Sequence, residues 1–489
     1  METSSGTPSV VVVGTGFGGL AAAIELKGRG VTDLVLVERG DDVGGVWREN
    51  TYPGAACDVP SPFYSFSFAP HTRWPRRFSR QPAILEYLRR VADEHDVRRH
   101  VRFGTTVVGA TYDDATGRWT VALDDGEELV CDVLVSAVGQ LSTPAVPDLP
   151  GRDDFAGPAF HTATWDHDVD LTGKRVAVVG TGASAIQAVP EIVAVAGHTT
   201  VVQRTPPYLA PRPDRAFGPG RHRLFRLVPL TLRAERLFWY LVVETLSVAW
   251  AYSRPLAAVV RAWSRRHMRR QTAGKPGLFE QVWPSYAIGC KRLLFSDDYL
   301  PALARPDVTL VTGGVERVVP EGLVTDDGTL HPADVVVWGT GFAASEFLAG
   351  MTVRGAGGRD LHEYWADGAH ALHGLTVPGF PGLLCMYGPN TNTGGGSIVY
   401  FLETQAAYVG DYVDQLRRTG APLDVRADVE RAHDEKVQRR LRDSVWTRCS
   451  SWYRTASGRI TTNWPGLGVE YRRAARFDPA DYEALGLRR

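Results

Sequence analysis

Two short glycine runs carry the first chemistry legible in this sequence. Ser9–Val13 is a β-branched run that ends in Gly14-Thr15-Gly16-Phe17-Gly18-Gly19. An alanine-rich helical stretch follows, then a second run, Leu34–Val37, closed by Glu38. Strand, GxGxxG, helix, strand and terminal acid make a dinucleotide-binding βαβ unit. Glycine at 14, 16 and 19 lets the backbone approach a pyrophosphate at the helix N-terminus, where free N–H groups and the dipole favour an anion. Glu38 suits a ribose diol and would repel a 2′-phosphate, so this unit takes FAD or NAD rather than NADP. The pattern recurs at Arg175–Val179, then Gly180-Thr181-Gly182-Ala183-Ser184-Ala185, a helix and the run Thr199–Gln203. Ala185 fills the third glycine position, which the pattern permits. This unit ends in Gln203-Arg204, and an arginine there fits a 2′-phosphate through a charge-assisted contact, so the second unit prefers NADP. The competing reading of Arg204 is a solvated surface charge. Two nucleotide sites in one chain imply electron transfer, with NADPH reducing FAD and an acceptor downstream.

The elements that must position these loops follow from length and pattern. A chain of 489 residues is too long for one core. The fold class is α/β, with two Rossmann-like dinucleotide-binding domains, the NADP domain inserted into the FAD domain. The expected division is 1–150 for the first part of the FAD domain, 151–335 for the NADP domain and 336–489 for the FAD domain's second part and closure. Cys131–Gly139 is expected to close the first half, and Asp334–Phe342 to bring the chain back to the flavin domain. The net charge of −1 gives no bulk electrostatic case for nucleic acid. The five cysteines are scattered and odd in number, with no CxxC. That predicts a reducing compartment, no disulfide framework, no structural zinc and no dithiol redox centre. The first strand starts by Val10 with no charged, apolar leader before it, so a cytoplasmic location is expected.

From Pro211 to Thr272 the chain changes character. It is rich in arginine and large apolar residues and reads as two or three amphipathic helices, within an insertion of about 211–290. Leu237–Ser253 is interrupted by Glu244 and is short for a membrane span. Two readings stand: a helical cap over the active-site cleft, or a basic amphipathic surface making peripheral contact with anionic lipid.

Between the two βαβ units lies FAGPAFHTATWD, which has no helix or strand period and no metal or nucleophile pattern. Phe155, Gly157, His161, Trp165 and Asp166 in it resemble the fingerprint of type I Baeyer–Villiger monooxygenases, FxGxxxHxxxW followed by Pro or Asp. Three more segments are similar to that family. They are Gly44-Gly45-Val46-Trp47 with Tyr52-Pro53-Gly54 and Asp58; Gly289-Cys290-Lys291-Arg292; and Gly388-Pro389-Asn390-Thr391 with the glycines after it. The resemblance spans Val10 to Trp464. The chain is shorter than many members, and its Arg-rich region and its C-terminal part, SSWYRTASGRITTNWPG, depart from them, which bears on the substrate rather than the reaction.

The resemblance implies FAD, NADPH and O2 as reactants and a flavin C4a-peroxide that attacks a ketone to give an ester or lactone. It places Arg292 as the fixed cation for that peroxide, oriented by Asp58, since a preorganised charge in a dry site is usually the largest catalytic contribution. Arginine suits the task because it keeps its proton and offers a planar fork of donors. His161 would couple NADP binding to the oxygen chemistry, with Trp165 as a packing anchor. FAD contacts are implied at Gly14, Gly16, Gly19, Glu38, Gly45, Trp47, Tyr52, Asp58, Thr391 and Asn392. NADP contacts are implied at Gly180, Thr181, Gly182, Ser184, Arg204 and Lys291. Arg292 as a phosphate contact or a surface ion pair with Asp297 or Asp298 is the competing reading, as is a hydrogen-bonded loop histidine for His161. The aromatics of the cap suggest a bulky apolar ketone. Two other functions stand beside this one: oxidation of soft N or S atoms by a related flavin monooxygenase, and a non-catalytic or uncoupled flavoprotein. A disulfide reductase lacks its dithiol here. No metal site is expected, and oligomeric state is not legible.

Overall fold

The computed structural model describes residues 7–486 except 450, 452 and 456. Its first sheet holds five parallel strands in the order Leu383–Cys385, Val133–Ser136, Val10–Val13, Leu34–Val37, Val101–Arg102. The three central runs are valine- and leucine-rich and nearly wholly buried, as parallel strands covered on both faces must be. The crossover helix Phe17–Gly28 covers one face and packs on the long helix Ile398–Thr419.

A second parallel sheet has the order Val308–Thr312, His198–Gln203, Arg175–Val179, Val335–Trp338, Ala159–His161. Two expectations are corrected here. The segment Asp334–Phe342 does not return at once to the first sheet: Val335–Trp338 is an inner strand of the second, so a boundary at 335/336 would cut through it. A buried apolar run bounded by an acid and a glycine fits either parallel sheet, so its pattern could not choose between them. The segment FAGPAFHTATWD also contains a strand, with Ala159 paired to Val336 and His161 to Trp338. At three residues and on the sheet edge it is too short to show a period.

The chain leaves the first sheet after Ser136 and comes back after Trp338. The two crossovers run side by side. Ala145 N–H donates to the Gly341 carbonyl (2.9 Å), Ala343 N–H to the Thr143 carbonyl (3.0 Å), and the Thr340 hydroxyl to the Ala145 carbonyl (2.6 Å). The second sheet is therefore inserted into the first unit through a paired, two-stranded neck. Helices Pro219–Leu227, Pro229–Ala251 and Arg254–Gln271 form the cap. No helix among the described residues is long and apolar enough to cross a membrane.

Candidate active site

Each glycine loop is shaped by what a side chain would hit. A Cβ on Gly19 would lie 1.9 Å from the Gly14 carbonyl oxygen, and one on Gly14 (φ +98°) 2.8 Å from that of Ala137. Gly16 has only a distant neighbour, Gly45 Cα at 3.7 Å, which leaves the loop's mouth open. Glu38 is buried at the strand end. Its carboxylate accepts from Thr15 N–H (3.0 Å), the Thr15 hydroxyl (2.7 Å) and Gly40 N–H (2.9 Å), so it pins the first loop to the strand. In the second loop a Cβ on Gly180 would lie 2.3 Å from the Gly339 carbonyl oxygen, whereas Gly182 has nothing within 4 Å. Ala185 packs against Gly339, and the Thr181 hydroxyl donates to the Thr205 carbonyl (2.9 Å). Both loops thus fit a pyrophosphate: tight where the backbone must turn and empty where the anion would sit.

Beside the second loop stand two cations. Arg204 is exposed, and neither it nor Lys291 makes an ion pair among the described residues. Lys291 Nζ lies 5.3 Å over the Tyr286 ring, and burial together with the nearby Arg204 pushes its amine below the ordinary lysine range. Two cations held together without a carboxylate suit a doubly charged phosphate.

Arg292 and Asp58 meet across 234 residues of sequence. Nε donates to Oδ2 (2.9 Å) and Nη2 to Oδ1 (2.8 Å), a bidentate pair that leaves Nη1 without a hydrogen bond among the described residues. The Asp58 charge raises the guanidinium further above its usual range, so it stays protonated. Asp297 and Asp298 are not its partners; Asp297 lies by His267. Tyr387 and Tyr453 flank the pair, and Arg292 acts on the titration of both.

The neighbouring Cys290 overturns one expectation. It is bonded to Cys449, 159 residues away, tying the turn that presents Arg292 to the C-terminal segment. Scattered cysteines give no sequence sign of a pair brought together only by the tertiary fold. The other three cysteines are free and buried, and no metal-binding cluster occurs among the described residues.

The family-like fingerprint is explained position by position. A Cβ on Gly157 would lie 2.3 Å from the Asp334 carbonyl oxygen, so only glycine lets this segment dock on the inner strand. Phe155 packs into the small core with Val318, and Trp165 meets Phe160 edge-on at 5.1 Å. His161 is buried against Phe342 of the returning crossover (5.7 Å) and accepts the Ala163 N–H at Nδ1 (3.0 Å). Burial lowers its pKa, opposed only by the Gly341 backbone, and because Nδ1 accepts, the neutral ring carries its proton on Nε2.

Tyr52 has a partner in the second unit. Its hydroxyl donates to Gln187 Oε1 (2.9 Å) on the helix after the second loop, and Gln187 also exchanges hydrogen bonds with the Ala56 backbone. Tyr52 therefore joins the two nucleotide units, and Gln187, which no motif marked, is its partner. Trp47 Nε1 donates to the Tyr64 hydroxyl (3.1 Å), and Gly45 (φ +53°) abuts Gly16. Thr391 is fully buried and donates to the Gly388 carbonyl (2.7 Å). Asn392 bonds Asn463 side chain to side chain (3.0 Å) and accepts from the Tyr387 hydroxyl (3.0 Å). Next to them Thr461 Oγ1, Thr462 Oγ1 and Asn463 Nδ2 are buried with no hydrogen-bond partner among the described residues, which fits a polar ring system lying against this loop. Part of the expected C-terminal closure, Ser450, Trp452 and Ala456, lies outside the described residues.

The cap helix Pro229–Ala251 adds an acid, Glu244, which the sequence marks only as a break in an apolar run. Glu244 faces the Gly394–Ser397 turn and accepts the Gly468 N–H at 2.9 Å. Burial pushes its carboxyl up to about 7, against that hydrogen bond and helped by Glu470. A carboxyl raised in the folded state contributes stability that is full below its ordinary pKa and lost as pH rises through the folded value. The wild type should therefore lose thermal stability from pH 5 to pH 8 relative to Glu244→Gln, which keeps an acceptor for Gly468 but cannot ionise. Melting temperatures of both proteins across that window test this; parallel curves would exclude it.

Residues 7–216 match the model of the flavin-binding monooxygenase-like family. A Baeyer–Villiger monooxygenase of Streptomyces coelicolor is 45% identical over 97% of this chain and 92% of its own length. Among solved structures, an oxidised steroid monooxygenase bound to NADP superposes with a TM-score of 0.85 at 32% identity, covering 96% of this chain and 97% of that one. The closed form of cyclohexanone monooxygenase gives a TM-score of 0.87 at 27% identity, covering 98% and 99%. Two glycine loops, a fingerprint docked on the neck between them and a near-complete match at this identity lead to one assignment: the chain belongs to the Baeyer–Villiger monooxygenases.

Proposed function

We propose that this enzyme uses FAD, NADPH and O2 to insert one oxygen atom beside the carbonyl of a bulky apolar ketone, giving an ester or lactone. The observation that carries the reading is the bidentate Arg292–Asp58 pair, set where the two nucleotide units meet. The first glycine loop, Glu38, Gly45, Trp47, Thr391 and Asn392 would hold FAD; Gly180, Thr181, Gly182, Ser184, Arg204 and Lys291 would hold NADPH. FAD, once reduced, supplies the oxygen activation, which lies beyond the reach of side chains alone.

The chain's own residues do the rest. Arg292 keeps a permanent positive charge where negative charge develops on oxygen, and Asp58 fixes the plane of its fork. His161, a neutral imidazole wedged between the second sheet and the returning crossover, reports on how the two units are docked. Water is kept out by the cap and the C-terminal segment. Trp250 and Trp446 close on Gly394, Leu246 closes on Gly395, and the Cys290–Cys449 bond holds the segment behind them. These walls are aromatic and apolar, which supports a bulky apolar ketone.

The test uses purified, FAD-loaded protein with NADPH, O2, a panel of cyclic, aryl and terpenoid ketones and one sulfide. Products are identified by mass. Ester or lactone with one added oxygen is the expected result. Sulfoxide alone would move the enzyme to the soft-heteroatom class, and NADPH consumed with only hydrogen peroxide formed across the whole panel would count against the ketone class.

A further inference from the structure

The long cap helix Pro229–Ala251 is apolar on both faces. Its inner face buries Leu232, Trp239, Val243 and Trp250 and builds one wall of the site. Its outer face carries Leu230, Ala234, Leu237, Phe238, Leu241 and Val242, at i, i+4, i+7, i+8, i+11 and i+12, which is one stripe of a 3.6-residue helix. These side chains stand in solvent: Leu230 is 69% exposed, Phe238 57%, Leu237 56% and Leu241 55%. The preceding helix ends in exposed Leu227 and Val228, and the following helix carries exposed Val259 and Trp263 one turn apart. Single exposed apolar residues need no explanation, but a contiguous stripe marks an interaction site.

Charge identifies the partner. Between Gly218 and Thr272 there are eleven arginines and two glutamates, in a chain whose net charge is −1. Both glutamates are occupied, Glu235 by Arg221 and Glu244 by the Gly468 N–H. Arg223, Arg226, Arg233, Arg254, Arg266 and Arg270 are exposed and make no ion pair among the described residues. Arg233 lies on the edge of the stripe, one turn from both Leu230 and Leu237, and Arg266 and Arg270 continue the row of Val259 and Trp263.

We propose that this face of the cap docks on the surface of an anionic lipid bilayer. The stripe enters the boundary between headgroups and acyl chains with the helix lying in the interface plane, and the free arginines pair with lipid phosphates. A spanning helix is excluded among the described residues, because none is long and apolar enough. A second copy of the chain is a poor occupant. A two-fold interface would set the same unpaired arginines against each other with no free carboxylate from either cap.

The proposal is independent of which compound is oxidised, and its test reads binding rather than turnover. The FAD-loaded protein is sedimented with vesicles of phosphatidylcholine alone and with vesicles of phosphatidylcholine mixed with phosphatidylglycerol, at low and physiological salt. At least about tenfold more protein is expected on the anionic vesicles, falling as salt rises. The triple variant Leu237→Ser, Phe238→Ser, Leu241→Ser and the triple variant Arg226→Gln, Arg233→Gln, Arg254→Gln should each lose that enrichment while keeping wild-type FAD content. Wild-type protein that stays in the supernatant with both vesicles would overturn the proposal. So would a wild-type dimer in solution that the serine variant converts to monomer, since a second copy would then be the occupant.

Discussion

Replacing Arg292 by alanine is expected to cut ester or lactone formation by about a hundredfold or more, while FAD content and NADPH oxidation persist. The separation of effects follows from where the residue sits. The hydrogen bonds of the Arg292 side chain go to Asp58 and not to either glycine loop, so nucleotide binding and hydride transfer are expected to survive its loss. In the proposed reaction oxygen insertion needs it, because negative charge collects on oxygen there. A guanidinium whose Nε and Nη2 are already fixed on Asp58, with no hydrogen bond at Nη1 among the described residues, is oriented before that charge develops. Arg292→Lys should not rescue the loss, since a lysine cannot hold the bidentate contact that fixes direction. Asp58→Asn should retain the cation but loosen it, and so lose less than Arg292→Ala. NADPH consumption would then end in hydrogen peroxide rather than product. The measurement is product formed per NADPH consumed. An alanine variant that still couples NADPH to ester would remove Arg292 from the chemistry.

What the sequence made legible, and what it hid, follows from the range of each constraint. The glycine loops could be read because their demands are local: Gly14, Gly19 and Gly180 each abut a carbonyl oxygen that a Cβ would strike. The same holds for Gly157, whose fixed place in the fingerprint reflects contact with the Asp334 backbone. Arg292 and Asp58 carry no local signal of their pairing. They were reached through resemblance, and the structure supplies the contact. The expected boundary at 335/336 cuts the strand Val335–Trp338, because burial on both faces erases the pattern that would distinguish two parallel sheets. The resemblance implies a flavin contact at Tyr52, and no local signal marks the bond that its hydroxyl makes to Gln187 on the other unit. The Cys290–Cys449 bond and the raised carboxyl of Glu244 depend on segments that meet only in the folded chain.

The cation pair beside the second loop supports the other large effect. Arg204→Ala should raise the Michaelis constant for NADPH by about tenfold to a hundredfold, since hydrogen bonds to charged groups contribute about 1.5–3 kcal/mol each. The constant for NADH, which lacks the 2′-phosphate, should hardly move. Lys291→Ala should do the same. The two losses should not simply add, and the reason is visible before any nucleotide arrives. Lys291 is already disfavoured as a cation by burial and by Arg204. Removing Arg204 relieves that repulsion and lets Lys291 approach the phosphate unopposed, which recovers part of the contact. The double variant should therefore lose more than the two single losses added together, a coupling measurable in a double-mutant cycle. It should also equalise NADPH and NADH. Equal losses for both nucleotides in the single variants would place these cations elsewhere than on the 2′-phosphate. Strict additivity would mean that they do not share one anion.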